Sequence, residues 1–129
     1  MKVLQINSSV NTGSTGRIAE EIGQALLRAG HESWIAFGRP VRSSQSSTIR
    51  IGGPQGQFLH GLQTRLLDTH GFGSKADTVR FVKQAAALQP DLVHLHNLHG
   101  YYLHVGVLFN WLRDAGIPVV WTLHDCWSF

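Results

Sequence analysis

Four of the eight histidines, His94, His96, His99 and His104, fall within eleven consecutive positions, and a fifth, His124, is followed directly by Asp125. A histidine titrates near neutrality, so it ligates metals, moves protons or hydrogen-bonds a hydroxyl or a phosphate. The alternation of a strand puts His94 and His96 on one face. A zinc site needs three or four convergent ligands with supporting partners. Here the others lie in a loop and Asp125 is the one obvious carboxylate nearby, so no metal is expected. His94 lies in an apolar run and reads as a hydrogen-bonded core histidine. His31, His60 and His70 fall on helix surfaces or at helix ends and read as solvated. His124 differs from all of these. It ends the run VVWTLHD, and the acid beside it is placed to orient its ring.

A second stretch with chemical potential is Asn11-Thr12-Gly13-Ser14-Thr15-Gly16, followed by Arg17. Helix N-termini carry free N–H groups and a partial positive charge, which suits phosphate or another anion. Gly13 and Gly16 permit close backbone approach, Ser14 and Thr15 add hydroxyls, and Arg17 adds a cation. A plain tight turn before a helix is the alternative. The loop is not a Walker loop, which needs Gly-Lys-Ser/Thr, nor a dinucleotide fingerprint, which needs GxGxxG. Ser9-x-x-Thr12-Gly13-Ser14-Thr15 resembles the FMN phosphate loop of flavodoxins, so a flavodoxin-like FMN- or nucleotide-binding module is the runner-up. Tyr101 and Tyr102, with Trp127, form either a platform for a sugar or lipid-linked acceptor or a plug that ties the loop to the helices.

The elements that must position these groups alternate. Strands are expected over Lys2–Ser8, Glu32–Gly38, Thr48–Gly53, Asp91–Asn97 and Pro118–Asp125. Helices are expected after the SVNTGSTG loop (Ile18 to Ala29, stopped by Gly30), over Phe58–Leu67, over Ala76–Leu88 and over Val105–Ala115. This alternation argues for an α/β fold with a doubly wound parallel sheet, Rossmann-like, in the order 3-2-1-4-5. Ligands of such sheets bind outside the carboxyl ends of the strands where the order reverses. That crevice falls between strands 1 and 4, walled by Asn7–Gly16 and His96–His104. The latter wall holds His96, Asn97, His99, Tyr101 and Tyr102, and His124 and Asp125 open on the same side.

Composition sets the outer bounds. The 129 residues fit one domain, and 43% hydrophobic with 15% charged residues is an ordinary globular balance. A net charge of +3 is too mild to imply nucleic acid. The single cysteine, Cys126, excludes an internal disulfide framework and suits a reducing compartment. The apolar runs are too short to span a membrane, and the N-terminus does not read as a signal peptide, so a cytoplasmic location is expected.

Taken together, MKVLQINSS, NTGSTGRIAEEI, DLVHLHNLHGYYL and VVWTLHDCWSF resemble the N-terminal domain of family 4 glycosyltransferases of GT-B fold, in particular bacterial enzymes that assemble capsule, colanic-acid-type or other exopolysaccharides. The resemblance implies two Rossmann-like domains across a cleft. The first mostly holds the acceptor; the second holds a nucleotide-sugar through basic residues and a pair of glutamates. It implies transfer with retention of anomeric configuration, no metal, and no cofactor beyond the nucleotide-sugar substrate. His124 matches the strand-end histidine of the sugar site and is the catalytic candidate. Gly13 and Gly16 match the glycine-rich loop near donor phosphate and acceptor, although that loop commonly carries a Gly-Gly pair. Residues 1–129 are then a single incomplete Rossmann-like domain, the acceptor-side half, expected to be inactive without a C-terminal donor domain. The expected partners are a nucleotide-sugar and a glycan or lipid-linked acceptor, with peripheral contact at the inner face of the membrane.

Overall fold

The computed structural model describes residues 1–39, 42–53 and 74–126. Their elements are β1 (Lys2–Ile6), α1 (Gly13–Arg28), β2 (Glu32–Phe37), β3 (Ser47–Arg50), α2 (Lys75–Leu88), β4 (Leu92–Leu95), α3 (Val105–Ala115) and β5 (Val119–Trp121). The helix expected over Phe58–Leu67, and Trp127, lie outside the described residues. All four strand pairings are parallel and the order is β3-β2-β1-β4-β5, as the alternation of elements implies. The order reverses between β1 and β4, which makes their carboxyl ends the crevice of the sheet.

β1 is central and covered on both faces, so Val3, Leu4, Gln5 and Ile6 are all buried. Side-chain alternation splits them. Leu4 and Ile6 pack with Val93 and Leu95 of β4, Phe81 and Ala85 of α2, and Leu108 and Leu112 of α3. On the opposite face, Ala19 of α1 packs with Val10 and with Ile35 and Phe37 of β2. That face also receives Gln5, whose amide reaches the Ala19 carbonyl at 2.9 Å. A polar residue thus occupies the centre of the most buried strand because its partner is a helix backbone.

The strands end earlier than the sequence pattern suggests. Past Ile6, Leu95 and Trp121 the chain leaves the ladder, and polar groups take over. The His96 N–H donates to the Ile6 carbonyl at 2.9 Å, and the Thr122 N–H donates to the Leu95 carbonyl at 2.9 Å. The first helix starts earlier than expected, at Gly13, so Ser14, Thr15, Gly16 and Arg17 belong to its opening turn rather than to a loop. β5 is the sheet edge. Val119 and Val120 are 43% and 47% exposed, so the apolar run there is not covered on both faces by the described residues.

The segment that follows β2 is tied to α1 through an acid. Glu20 is buried, accepts from the Gln45 N–H at 3.0 Å and from Gln24 Nε2 at 3.1 Å, and also receives the Ser44 hydroxyl. Burial pushes its carboxyl up, but the three donors outweigh that and hold it below the usual range.

Candidate functional site

Two asparagines join the walls of the crevice. Asn7, the first residue past β1, accepts the Asn97 N–H on Oδ1 at 3.2 Å and donates from Nδ2 to the Ser9 carbonyl at 2.9 Å. The β1–α1 loop is thereby held against the loop after β4. Ser9 donates in turn to the Thr12 carbonyl at 3.0 Å. Gly16 lies beneath this turn: a Cβ there would stand 2.8 Å from Ser9 Oγ, so its glycine serves the packing of loop on helix. The N-terminus of α1 has no side-chain cap and no acid in its first turn. Its leading N–H groups lack intrahelical partners, and the helix dipole favours an anion there. Arg17 is exposed on this turn and donates from Nε to the Gly13 carbonyl at 3.3 Å.

Across the crevice the histidines pair by strand. His94 and His96 share a face, with ring centroids 4.1 Å apart. His94 Nε2 meets Thr122 Oγ1 at 2.8 Å, as a hydrogen-bonded core histidine should. His96 is 2% exposed, and both its ring nitrogens are engaged, Nε2 with Gln5 Oε1 at 3.0 Å and Nδ1 with His124 Nε2 at 3.0 Å. Burial first, then the neighbouring His94 and His124, push His96 down to about 3, so it is neutral at physiological pH. Burial and His124 also hold His94 below its ordinary value. The Trp121 indole N–H donates to the His96 carbonyl at 3.1 Å and fixes the loop over β5. His99 and Asp125 form a separate, exposed pair at 2.8 Å. Between the two pairs lies a small open pocket lined by His96, Asn97, Leu98, His99, Trp121, Leu123, His124 and Asp125.

The structure therefore brings His124, Asn97, His99 and Asp125 around one pocket, on the sheet edge where α1 begins. Two of the expected contact residues are turned inward. The His96 ring is buried and both its nitrogens are bonded within the protein. Of the two readings open for Tyr102, its burial fits the plug: it is 1% exposed and donates to the Asn97 carbonyl at 2.7 Å. It lies flat on Gly38, where a Cβ would stand 2.1 Å from its own Cβ, and burial pushes its phenol up against the opposing pull of Arg39. It plugs the loop. Tyr101 is half-buried at φ +63°, with its carbonyl accepting from Ser74 Oγ at 3.3 Å. His104 serves α3: its Nδ1 accepts the Val107 N–H at 3.2 Å. Among the described residues no group of three or more His, Cys, Asp or Glu is arranged to hold a metal.

Sequence reasoning placed Asn7 at the start of a crevice wall and missed Gln5 and Glu20. The signal was present for both. Gln5 interrupts an apolar strand, and Glu20 sits at helical spacing with Gly16, Ala19 and Gly23 on the buried side of α1. Buried polar groups require partners, so each pointed to a network.

A sequence model described as Glycosyltransferase Family 4 matches residues 15–129. The chain belongs to that family. It is also 24% identical over 140 aligned positions to a protein named as a colanic acid biosynthesis glycosyl transferase, WcaC, of Escherichia coli (strain K12). The alignment covers 99% of this chain and 34% of that protein, so the chain spans about a third of the length of the curated relative it matches. Family 4 membership covers both strand-end loops that build the pocket and favours the sugar-transfer reading over the flavodoxin-like one.

Proposed function

We propose that this chain is the acceptor-side part of a retaining glycosyltransferase of GT-B type, which moves a hexosyl unit from a nucleotide-sugar to a polysaccharide or lipid-linked acceptor in exopolysaccharide assembly. The observation that carries the reading is the shared mouth. Asn7 joins the loop that leads into α1 to Asn97, and His96 ties His124 to the same central strand. In the reaction the acceptor hydroxyl oxygen bonds to the anomeric carbon on the face from which the nucleoside diphosphate departs; the diphosphate leaves with the electron pair of the broken C–O bond and its phosphate oxygen takes the hydroxyl proton. The protein's work is to align these atoms and to stabilise the leaving charge. His124 holds a hydroxyl of the transferred sugar or of the acceptor. The α1 N-terminus, from Gly13 to Gly16 with Arg17, favours negative charge on the leaving phosphate or on a phosphate-bearing acceptor. No resident cofactor is required, since the nucleotide-sugar is a substrate.

The second half of the site, with the donor's basic residues and glutamates, belongs to chain beyond these 129 residues, and this piece alone does not turn over. The reaction takes place in the cytoplasm at the inner face of the membrane, where lipid-linked acceptors reside and a net charge of +3 assists docking. No helix among the described residues is long and apolar enough to cross a membrane. The test is a transfer assay of the full-length protein on a panel of nucleotide-sugars with a lipid-linked glycan acceptor. Transfer with retained configuration is expected from the full-length protein and none from the 129-residue piece. Inverted product, or turnover by the piece, overturns the respective part of the reading.

A further inference from the structure

We propose that Gln5 and His96 are positioning residues that lock the tautomer of His124, so that Nε2 carries its proton and Nδ1 is the bare nitrogen offered to substrate. The Ala19 carbonyl of α1 can only accept, so the Gln5 atom 2.9 Å from it is the NH2 group. The other end of the Gln5 side chain is then its carbonyl, and it faces His96 Nε2 at 3.0 Å. His96 Nε2 must donate. A neutral imidazole has one N–H, so His96 Nδ1 is a lone pair and can only accept. His124 Nε2, 3.0 Å away, must donate to it. Every group in this line between the helix and His124 has a single role, and the roles propagate outward from the buried strand to the mouth.

The geometry supports a relay rather than a coincidental cluster. Gln5 and His96 are both buried, so water does not compete for their bonds. The His96 and His124 rings lie nearly parallel, with an interplanar angle of 18°. His94, the other titratable ring against His96, bonds Thr122 Oγ1 and stands outside the line. Among the described residues no bond to His124 Nδ1 competes with a ligand. The consequence rests on the proposed sugar-transfer reading: a ring whose single proton is held on Nε2 presents Nδ1 as an acceptor, which takes a substrate hydroxyl and not a phosphate oxygen.

The test uses full-length protein labelled with ¹⁵N-histidine and reads imidazole tautomers by two-bond ¹H–¹⁵N correlation at pH 8, with His124 assigned by its loss in His124→Gln. Wild type should show His124 protonated on Nε2 alone. Gln5→Met removes the acceptor that orients His96, and His124 should become a mixture of tautomers. Thr122→Val breaks the His94 bond only and should leave His124 unchanged. An Nδ1-protonated His124 in wild type, or an unchanged His124 in Gln5→Met, overturns the proposal. The wild-type spectrum decides even where Gln5→Met does not fold. Because the readout needs no substrate, failure of the relay and failure of the sugar-transfer reading are seen separately: a locked tautomer in a protein that transfers no sugar removes only the function, and transfer without the lock removes only the relay.

Discussion

Two histidine pairs bridge the same two loops, one from the end of β4 and one from the end of β5, and they have opposite characters. His96 and His124 join at 3.0 Å with His96 buried and tied inward to Gln5. His99 and Asp125 join at 2.8 Å, yet their side chains are 32% and 46% exposed. The shorter contact is the weaker one, because solvent screens it and competes for both partners. The buried pair lies in low dielectric, where a satisfied polar line rigidifies and an unsatisfied one is costly. The lesson is that distance alone does not rank these contacts. Burial decides which pair is architecture, and His124 is useful because it stands at the outer end of the buried line.

The largest effect expected from this contrast is on turnover. His124→Ala in the full-length protein should lower kcat by about 100-fold or more, the usual loss for a positioned proton-exchanging or hydrogen-bonding side chain. The protein should remain folded, as judged by circular dichroism. Steady-state kinetics on whichever nucleotide-sugar supports wild-type transfer gives the number, and an unchanged kcat removes His124 from the site.

Next comes the stability of the buried line. His96→Ala strands the Gln5 carbonyl and the His124 N–H and leaves a cavity, a combination that costs about 2–4 kcal/mol. Amide exchange in peptides covering β1 and β4 reads this locally. Acceleration of about 30- to 1,000-fold is expected. Exchange unaltered within a factor of about two would mean that the line carries no stability.

A smaller effect is its pH dependence. His96 is held near 3 in the folded protein, while an unfolded histidine titrates near 6.5. Between those values the unfolded state binds the extra proton, so stability falls as pH falls, by at most about 1.4 kcal/mol per pH unit from this group. His94, also depressed, adds loss of the same sign. Glu20 is depressed too, but its contribution fades only as pH drops through and below its ordinary value of 4.5. The window from pH 6.5 to pH 5 therefore belongs to the histidines. Thermal unfolding in that window should shift downward in wild type and less in His96→Gln; equal slopes would break the assignment.

The architecture was readable in the sequence because it rests on period and punctuation. The nearly continuous apolar runs KVLQI and DLVHL are what strands covered on both faces look like, and alternation with crossover handedness favours the order 3-2-1-4-5 that the sheet has. The site was readable only to the level of which loops meet. Residue type and spacing set His94 apart as a core histidine and His124 apart by the acid beside it, but left His96 and His99 alike. What separates them is burial and partner, and both depend on Gln5, about ninety positions away in sequence. The same holds for Tyr102, whose role as a plug depends on the bare backbone at Gly38. Long-range pairing across a parallel sheet leaves no local trace, so residue types predicted the cast while the roles had to come from contacts.

The smallest effect is the one that tests the contrast most directly. Asp125→Asn keeps size and shape, removes the charge and leaves an oxygen to accept from His99 Nε2. The pair is exposed, and both residues keep further interactions, so the loss should stay below about 1 kcal/mol. At pH 5, below the ordinary histidine value, whatever loss remains should shrink as sodium chloride rises from about 0.05 to 0.5 M, because the screening length falls severalfold over that range. The His96→Ala loss should hold steady over the same range, since it comes from unsatisfied buried groups that salt does not reach. Urea denaturation, whose agent is uncharged, measures both variants under matched salt. An Asp125→Asn cost equal to that of His96→Ala, or a His96→Ala cost that salt erases, would show that the two pairs are of one kind and that burial does not rank them.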